Sequence, residues 1–256
     1  MKKKILFSLL SLVVCMFTMT ACSNDDDNNN GGGDVKSGLK LASVDWGNDG
    51  KDGDTGGKHT FTYDQQGRVK MDVYNEVHGI TELYHYDYQE DKIVVTITEA
   101  NSQSSKMEFI LKDGLVVELR DYYGNDYYTY DKDKQLIGVK TSNFETSIVW
   151  KNGNMVSCTT KDNYGNDTYT YEYTSELAVK SFIHVSDFCI EGLEEADVLF
   201  NMGYFGKQPK NLLASVTGSD GTSYAHSYKF EGKDNYVSEW TVTGKSKTNT
   251  RKLTWE

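Results

Sequence analysis

The chain has 256 residues, with 27 Lys and Arg against 38 Asp and Glu, and a formal net charge of −11. This acidity favours solubility and argues against nucleic acid as a partner, because the phosphates of nucleic acids call for a basic face. The length is sufficient to bury a sizeable core.

The first 21 residues predict a lipoprotein signal peptide. Residues 2–4 are lysines, and the apolar run 5–17 that follows is too short for a permanent transmembrane helix. The small residue Ala21 followed directly by Cys22 resembles the lipobox of bacterial lipoproteins, in which the chain is cut before the Cys and its thiol is acylated. The resemblance implies Cys22 as the lipid attachment site and the membrane as a partner through that anchor.

Residues 22–37 predict a flexible acidic tether. They are rich in Asn, Asp and Gly, with Val35 as the single aliphatic residue, and such a segment cannot bury enough surface to order itself. Ser23 stands where inner-membrane lipoproteins carry Asp, and the acidic residues 25–27 resemble the surface-export signal of Bacteroidetes lipoproteins. The resemblance implies an outer-membrane protein displayed at the cell surface, with the periplasmic face as the alternative.

Residues 38–256 predict one mainly β domain. Apolar residues recur at every second position, and turn clusters such as Asp-Gly and Asn-Gly separate these runs about every ten residues. This pattern is typical of antiparallel hairpins in an up-and-down meander, here of about a dozen strands. A curved open sheet folded over an inserted segment is expected, and a closed barrel is the alternative. The alternating runs include Val69-Met71-Val73, Tyr84-Tyr86-Tyr88, Leu115-Val117-Leu119 and Tyr169-Tyr171-Tyr173.

An internal repeat marks two turns. Residues 121–130 reappear 41 positions later as residues 162–171, and each copy contains a Tyr-Gly-Asn-Asp turn. Gly, Asn and Asp suit tight turns, so Tyr122, Tyr123 and Tyr164 are expected at exposed loop tips. Flat rings held at such tips are candidate binding residues for a glycan or a protein ligand.

The hairpin rhythm is interrupted between residues 181 and 213. Leu193 and Phe200 fall at helical spacing, which predicts a helix over Ile190 to Met202 that ends at Gly203. This short helix is expected to lie on one face or at one end of the sheet.

Few residues suggest chemistry, and we predict no catalytic residue, metal site or cofactor. The five His are scattered, and Asn48 to Asp54 lacks the spacing of a calcium hand, which favours a flexible polar loop. His184 and Cys189 are five residues apart, a spacing that places them on opposite faces of a strand in a structural role. Cys158 and Cys189 could pair in an oxidising envelope, which the sequence does not decide, and free thiols are the favoured alternative.

Several pieces of the sequence are similar to the DUF4595-type lipoproteins of Bacteroides and relatives. They are the degenerate YD-type repeats at residues 63–69 and 130–136, and the segment 203–207 followed by Asn211-Leu212. In the repeats, Lys134 and Ser175 stand where Gly is expected. The resemblance implies an envelope lipoprotein with a large β-sheet and indicates no catalytic residues.

We therefore expect an outer-membrane lipoprotein that acts as a non-enzymatic binding or structural module. The alternative is an accessory subunit or a hydrolase in glycan processing. A cleft with two carboxylates of raised pKa would favour the enzyme.

Overall fold

The computed structural model describes residues 39–47, 56–76, 79, 81–99, 102–178, 181–193, 196–245 and 247–256. The expected signal peptide (1–21), the lipid attachment site Cys22, the tether (22–37) and the loop Asn48 to Asp54 lie outside the described residues. No helix in the described part is long and apolar enough to cross a membrane.

The described residues form sixteen antiparallel strands that close into a barrel. Each strand pairs with its neighbours in sequence, and β1 pairs with β16 to close the ring, with Val44 opposite Leu253. The predicted meander is confirmed, and closure rather than an open sheet removes both unpaired edges. The strands are β1 Leu41–Asp45, β2 Gly57–Tyr63, β3 Val69–Glu76, β4 Thr81–Tyr88, β5 Lys92–Glu99, β6 Ser105–Lys112, β7 Leu115–Arg120, β8 Asn125–Tyr130, β9 Leu136–Lys140, β10 Glu145–Lys151, β11 Asn154–Lys161, β12 Asn166–Leu177, β13 Asn211–Gly218, β14 Ser223–Glu231, β15 Tyr236–Thr243 and β16 Thr248–Trp255.

The barrel has two distinct ends. At the terminal end, Lys40 and Glu256 exchange two backbone hydrogen bonds, beside the turns at 64–68, 89–91, 113–114, 131–135 and 152–153. At the far end lie the turns at 121–124, 141–144, 162–165, 219–222 and 244–247. The two copies of the 41-residue repeat are therefore hairpin tips at the same end, four strands apart.

The segment between β12 and β13, residues 178–210, forms a plug inside the barrel. Its described part contains a 3-10 helix, Val185–Phe188, and one short α-helix, α1 (Asp197–Asn201). α1 confirms the expected short helix, but its range is narrower than Ile190 to Met202. Residues 190–193 are turn or irregular, and Glu194 and Glu195 lie outside the described residues.

Contacts around the whole ring show that the plug lies in the lumen. Phe182 contacts Phe61 of β2, with ring centroids 6.0 Å apart. On other sides, Phe205 contacts Tyr128 of β8, and Phe188 contacts Tyr171 of β12, at centroid distances of 5.0 and 5.4 Å. The core therefore lies between the plug and the inward faces of the strands, and hydrophobic burial of both stabilises the fold.

The outer wall is polar. Phe61 points inward and is 5% exposed, so its neighbours Thr60 and Thr62 point outward, where both are exposed. β10 shows the same alternation, with Ile148 inside and Ser147 outside. The apolar face of this sheet thus points into the lumen.

Candidate functional site

Three tyrosines at the far end are almost fully exposed. Tyr122, Tyr123 and Tyr164 expose 93%, 89% and 98% of their surface. Tyr122 and Tyr123 lie together in the turn between β7 and β8, with their rings edge to face and 5.5 Å apart. Tyr164 occupies the matching turn between β11 and β12. The structure therefore places all three residues where the sequence predicts exposed tips, and the role in binding stays a proposal.

An aspartate fixes the backbone of each tip. Asp121 Oδ1 accepts hydrogen bonds from the backbone N–H of Tyr123 at 2.7 Å and of Gly124 at 2.9 Å. At the second tip, Asp162 Oδ1 accepts the corresponding bonds from the backbone N–H of Tyr164 at 2.7 Å and of Gly165 at 2.8 Å. These Asx turns replace the backbone bonds that a tip lacks, so the rings project from an ordered backbone.

Tyr128 of β8 and Tyr171 of β12 have the opposite orientation. Tyr128 donates its hydroxyl to the plug carbonyl of Gly192 at 3.0 Å, and Tyr171 donates to that of Phe188 at 2.5 Å. Burial raises the pKa of the Tyr171 hydroxyl, and it raises the pKa of Tyr63 to about 12. These rings therefore pack in the lumen and do not form an exposed row on the wall.

A polar cluster at the far end of the lumen, the mouth cluster, consists of Trp46, His59, Asp72, His184 and Asp197. His59 Nδ1 lies 2.8 Å from Asp72 Oδ2 on the wall, and His184 Nδ1 contacts Asp197 Oδ2 on the plug. The Trp46 ring lies between them, 6.2 Å from His59 and 4.4 Å from His184. The cluster thus joins two His–Asp pairs from separate parts of the chain.

Asp72 is the most unusual member of the mouth cluster. Its side chain is 5% exposed, and Oδ1 has no hydrogen-bond partner. Burial raises the pKa of its carboxyl, and the nearby charges of Asp197 and Glu82 raise it further, while His59 lowers it. Asp72 is therefore a buried carboxyl of raised pKa that lies against an imidazole.

A buried ion pair holds the plug beside this cluster. Arg251 of β16 contacts both carboxylate oxygens of Asp187, with Nη2 2.9 Å from Oδ1. The guanidinium lies 4.3 Å from the ring centroids of Trp46 and Trp240. Such stacking suits the weakly hydrated planar guanidinium and partly offsets its desolvation.

The remaining candidate chemistry is sparse. His184 and Cys189 are not on opposite faces of a strand, because they flank the two ends of the 3-10 helix. Within the described ranges, no three His, Cys, Asp or Glu side chains converge closely enough to hold a metal ion. A cavity between the plug and β13 to β15 is lined mainly by apolar residues, among them Ile183, Leu212 and Trp240. It offers few groups that could orient a ligand.

Sequence reasoning missed the mouth cluster because the alternation of apolar residues in β3 assigns Asp72 to the outer face. The run Val69-Met71-Val73 predicts an inward face that excludes Asp72, yet Asp72 is buried and faces Phe61 across the ladder. A bulge between Thr62 and Tyr63 shifts the register by one residue. The polar Asp72 within this apolar run was the signal in the sequence that could have pointed to the cluster.

Comparison with known proteins is consistent with this architecture. The family model of a domain of unknown function with porin-like fold, DUF4595, matches residues 61–250. A crystal structure of a porin-like protein from Bacteroides uniformis superposes with a TM-score of 0.68 at 12% identity, covering 84% of this chain and 98% of that one. A second porin-like protein, from Bacteroides vulgatus, has the same coverage with 10% identity and a TM-score of 0.36.

No protein with curated annotation matches the sequence. At 12% identity, the Bacteroides uniformis structure establishes a shared fold only. The family model spans well over half of the chain. The chain therefore belongs to the DUF4595 family, whose members contain a domain of unknown function with a porin-like fold.

Proposed function

We propose that this protein is an outer-membrane lipoprotein that binds glycans at the cell surface through the tyrosine tips, without catalysing a reaction. One observation carries this proposal: Tyr122, Tyr123 and Tyr164 are almost fully exposed at the end of the barrel opposite Lys40. A tether that enters at Lys40 would direct these rings away from the membrane.

The tips have the physical properties of a binding surface. Exposed aromatic rings gain free energy when they stack on an apolar sugar face, and the Asx turns reduce the entropy lost on binding. The two tips are four strands apart, roughly 19 Å at the usual strand spacing. An extended ligand could therefore contact both tips together.

The polarity of the barrel supports a displayed domain rather than a pore. A membrane-spanning barrel has an apolar outer band and a polar lumen. This barrel has the reverse arrangement, with Phe61 and Ile148 inside and Thr60 and Ser147 outside. Lipid attachment at Cys22, which the lipobox resemblance implies, would then supply the membrane contact.

The anchor and the location have direct tests. Mass spectrometry of the purified protein should find Cys22 as the acylated first residue, and an intact Met1 would contradict lipidation. Protease treatment of intact cells should remove the domain, and full protection would place it on the periplasmic face.

A glycan array tests the binding function. The protein should bind a set of glycans, and Tyr123→Ala and Tyr164→Ala should each weaken that binding at least tenfold. Tyr127→Ala is the matched control, because Tyr127 is 48% exposed on the wall of β8 and outside the tips. Equal binding by the tip variants and the parent protein would remove these residues from the site.

The mouth cluster favours a second candidate, a hydrolase or an accessory subunit in glycan processing. A buried carboxyl of raised pKa such as Asp72 suits a proton donor, and each imidazole has a carboxylate partner. Release of reducing sugar from polysaccharides, lost in Asp72→Asn while the fold is retained, would support this candidate. Absence of release with every polysaccharide tested would exclude it.

A further inference from the structure

We propose that Cys158 and Cys189 form a disulfide that links the plug covalently to the barrel wall. Both cysteines have free thiols in the structure. Cys158 belongs to β11 and Cys189 follows the 3-10 helix of the plug. The bond would therefore join two elements that otherwise touch only through noncovalent contacts.

The two residues are already in contact. Cys158 Sγ lies 3.7 Å from the backbone oxygen of Cys189 and 3.9 Å from that of Phe188. Tyr171, on the next strand, donates its hydroxyl to the same Phe188 carbonyl at 2.5 Å. The wall therefore holds this plug turn, which contains Cys189, against the sulfur of Cys158.

The backbone of Cys189 is a second, independent sign. Its φ of 50° lies in the left-handed region, which costs an L-residue about 1 kcal/mol or more and which usually selects Gly or Asn after a helix. In the part of the chain that the structure describes, the other non-glycine residues with positive φ lie in hairpin turns: Asp113, Lys134, Asn152 and Asn235. A disulfide through its sulfur would explain why Cys, and not Gly or Asn, occupies this left-handed position.

The reaction is a thiol–disulfide exchange with an external disulfide as oxidant. The Cys189 thiolate, from the half-buried thiol, attacks one sulfur of the oxidant and releases the other as a thiolate. The Cys158 thiolate then attacks Cys189 Sγ and expels the second oxidant thiolate. The two cysteine protons end on these leaving groups, and the oxidant is reduced by two electrons.

Burial should slow the reaction of both thiols in the folded state. It raises the pKa of both groups, to about 12 for Cys189, so little thiolate exists at neutral pH. Exchange should accelerate with pH and whenever the plug loosens. In cells the bond also requires an oxidising compartment, which rests on the proposed export, whereas the experiment in solution does not.

The experiment treats the full-length protein with excess oxidised glutathione at pH 8.5, caps free thiols by alkylation and digests it with trypsin without reduction. Cleavage at lysines isolates Cys158 in peptide 152–161 and Cys189 in peptide 181–207. We expect these peptides linked, a mass loss of two hydrogens and a rise in Tm of about 5–15 °C, since the bond closes a loop of about 30 residues.

Two variants serve as controls. Cys158→Ser and Cys189→Ser should each abolish the linked peptides and the gain in Tm. Recovery of both peptides in alkylated form, or a glutathione adduct on Cys189 that persists without ring closure, would overturn the proposal. Because this readout involves no ligand, its failure would leave the glycan-binding proposal standing.

Discussion

Gly206 shows how a single residue positions the plug. It adopts a φ of 83°, and a Cβ at this position would lie 2.2 Å from the backbone oxygen of Lys134. Gly221 has a φ of 85° with open space around it. Gly221→Ala should lower the unfolding free energy by about 1–2 kcal/mol from the left-handed conformation alone. Gly206→Ala should lower the unfolding free energy by about 1–3 kcal/mol more than Gly221→Ala does, because the added Cβ forces the turn to move. Urea denaturation compares the two, and equal losses would contradict this packing.

His226 gives the protein a predictable response to acid. Burial lowers its pKa from 6.5 to about 4, with a further decrease from Arg251 and an opposing increase from Asp187. The unfolded chain therefore binds more protons between pH 6.5 and 4, so this group should remove up to about 3 kcal/mol of stability as the pH falls through that window.

The His226→Gln variant isolates this contribution, because Gln can still accept the hydrogen bond that Trp240 Nε1 donates to His226 Nδ1 at 3.0 Å. Its unfolding free energy should decline less between pH 6.5 and 4 than that of the parent protein. Asp72 has a raised pKa, so its contribution to the unfolding free energy changes with pH in the direction opposite to that of His226. This contribution is the same in both proteins and cancels in the comparison. Parallel pH profiles would contradict a buried neutral imidazole.

At the residue scale, exposure was predictable where a local motif determines it. The Tyr-Gly-Asn-Asp turns place Tyr123 and Tyr164 in solvent because the turn forms from neighbours in sequence. Lys134 stands where the YD-type repeat expects Gly, and it adopts the left-handed φ of 60° that Gly would take. The assembled mouth cluster was not predictable, because His59 of the wall and His184 of the plug both contact Trp46 only after the plug enters the barrel.

At the scale of elements, the ion pair between Asp187 and Arg251 fixes the 3-10 helix to β16. Their side chains are only 10% and 8% exposed. Asp187→Asn should lower the unfolding free energy by about 3–5 kcal/mol, because it leaves the guanidinium buried without a counter-charge. Glu118→Gln, which breaks the surface pair with the 51% exposed Arg120, is the control and should cost about 1 kcal/mol or less. Similar losses in the two variants would contradict a buried pair.

The elements were predictable as far as their signals are local. Apolar alternation and turn residues predicted the hairpins, and the interruption of this pattern located the insertion between β12 and β13. Register within a strand was not predictable where a bulge intervenes, as between Ile110 and Leu111, where the shift buries Val116 in place of Val117. Helical spacing also overestimated α1, since contacts to the wall, such as that between Tyr128 and Gly192, hold residues 190–193 as turn or irregular structure.

At the scale of the whole molecule, closure depends on β1 pairing with β16, more than 200 residues away. No local pattern encodes that pairing, which is why the sequence left an open sheet and a barrel as alternatives.

The polar wall and the filled lumen lead to a further expectation. Purified protein added to a planar lipid bilayer should produce no stepwise conductance. Regular single-channel steps, absent from a buffer control, would contradict the filled lumen.

Native-state hydrogen exchange tests the central feature of the fold, the plug inside a closed barrel. The amides of Val185, Phe200 and Tyr204 donate to Asp197 Oδ1 and to the carbonyls of Ala196 and Leu199 within the plug. If the wall encloses the plug, these amides should exchange as slowly as those of a buried strand residue such as Val95. Exchange of the plug amides within seconds, while the strand amides stay protected, would contradict a plug held in the lumen.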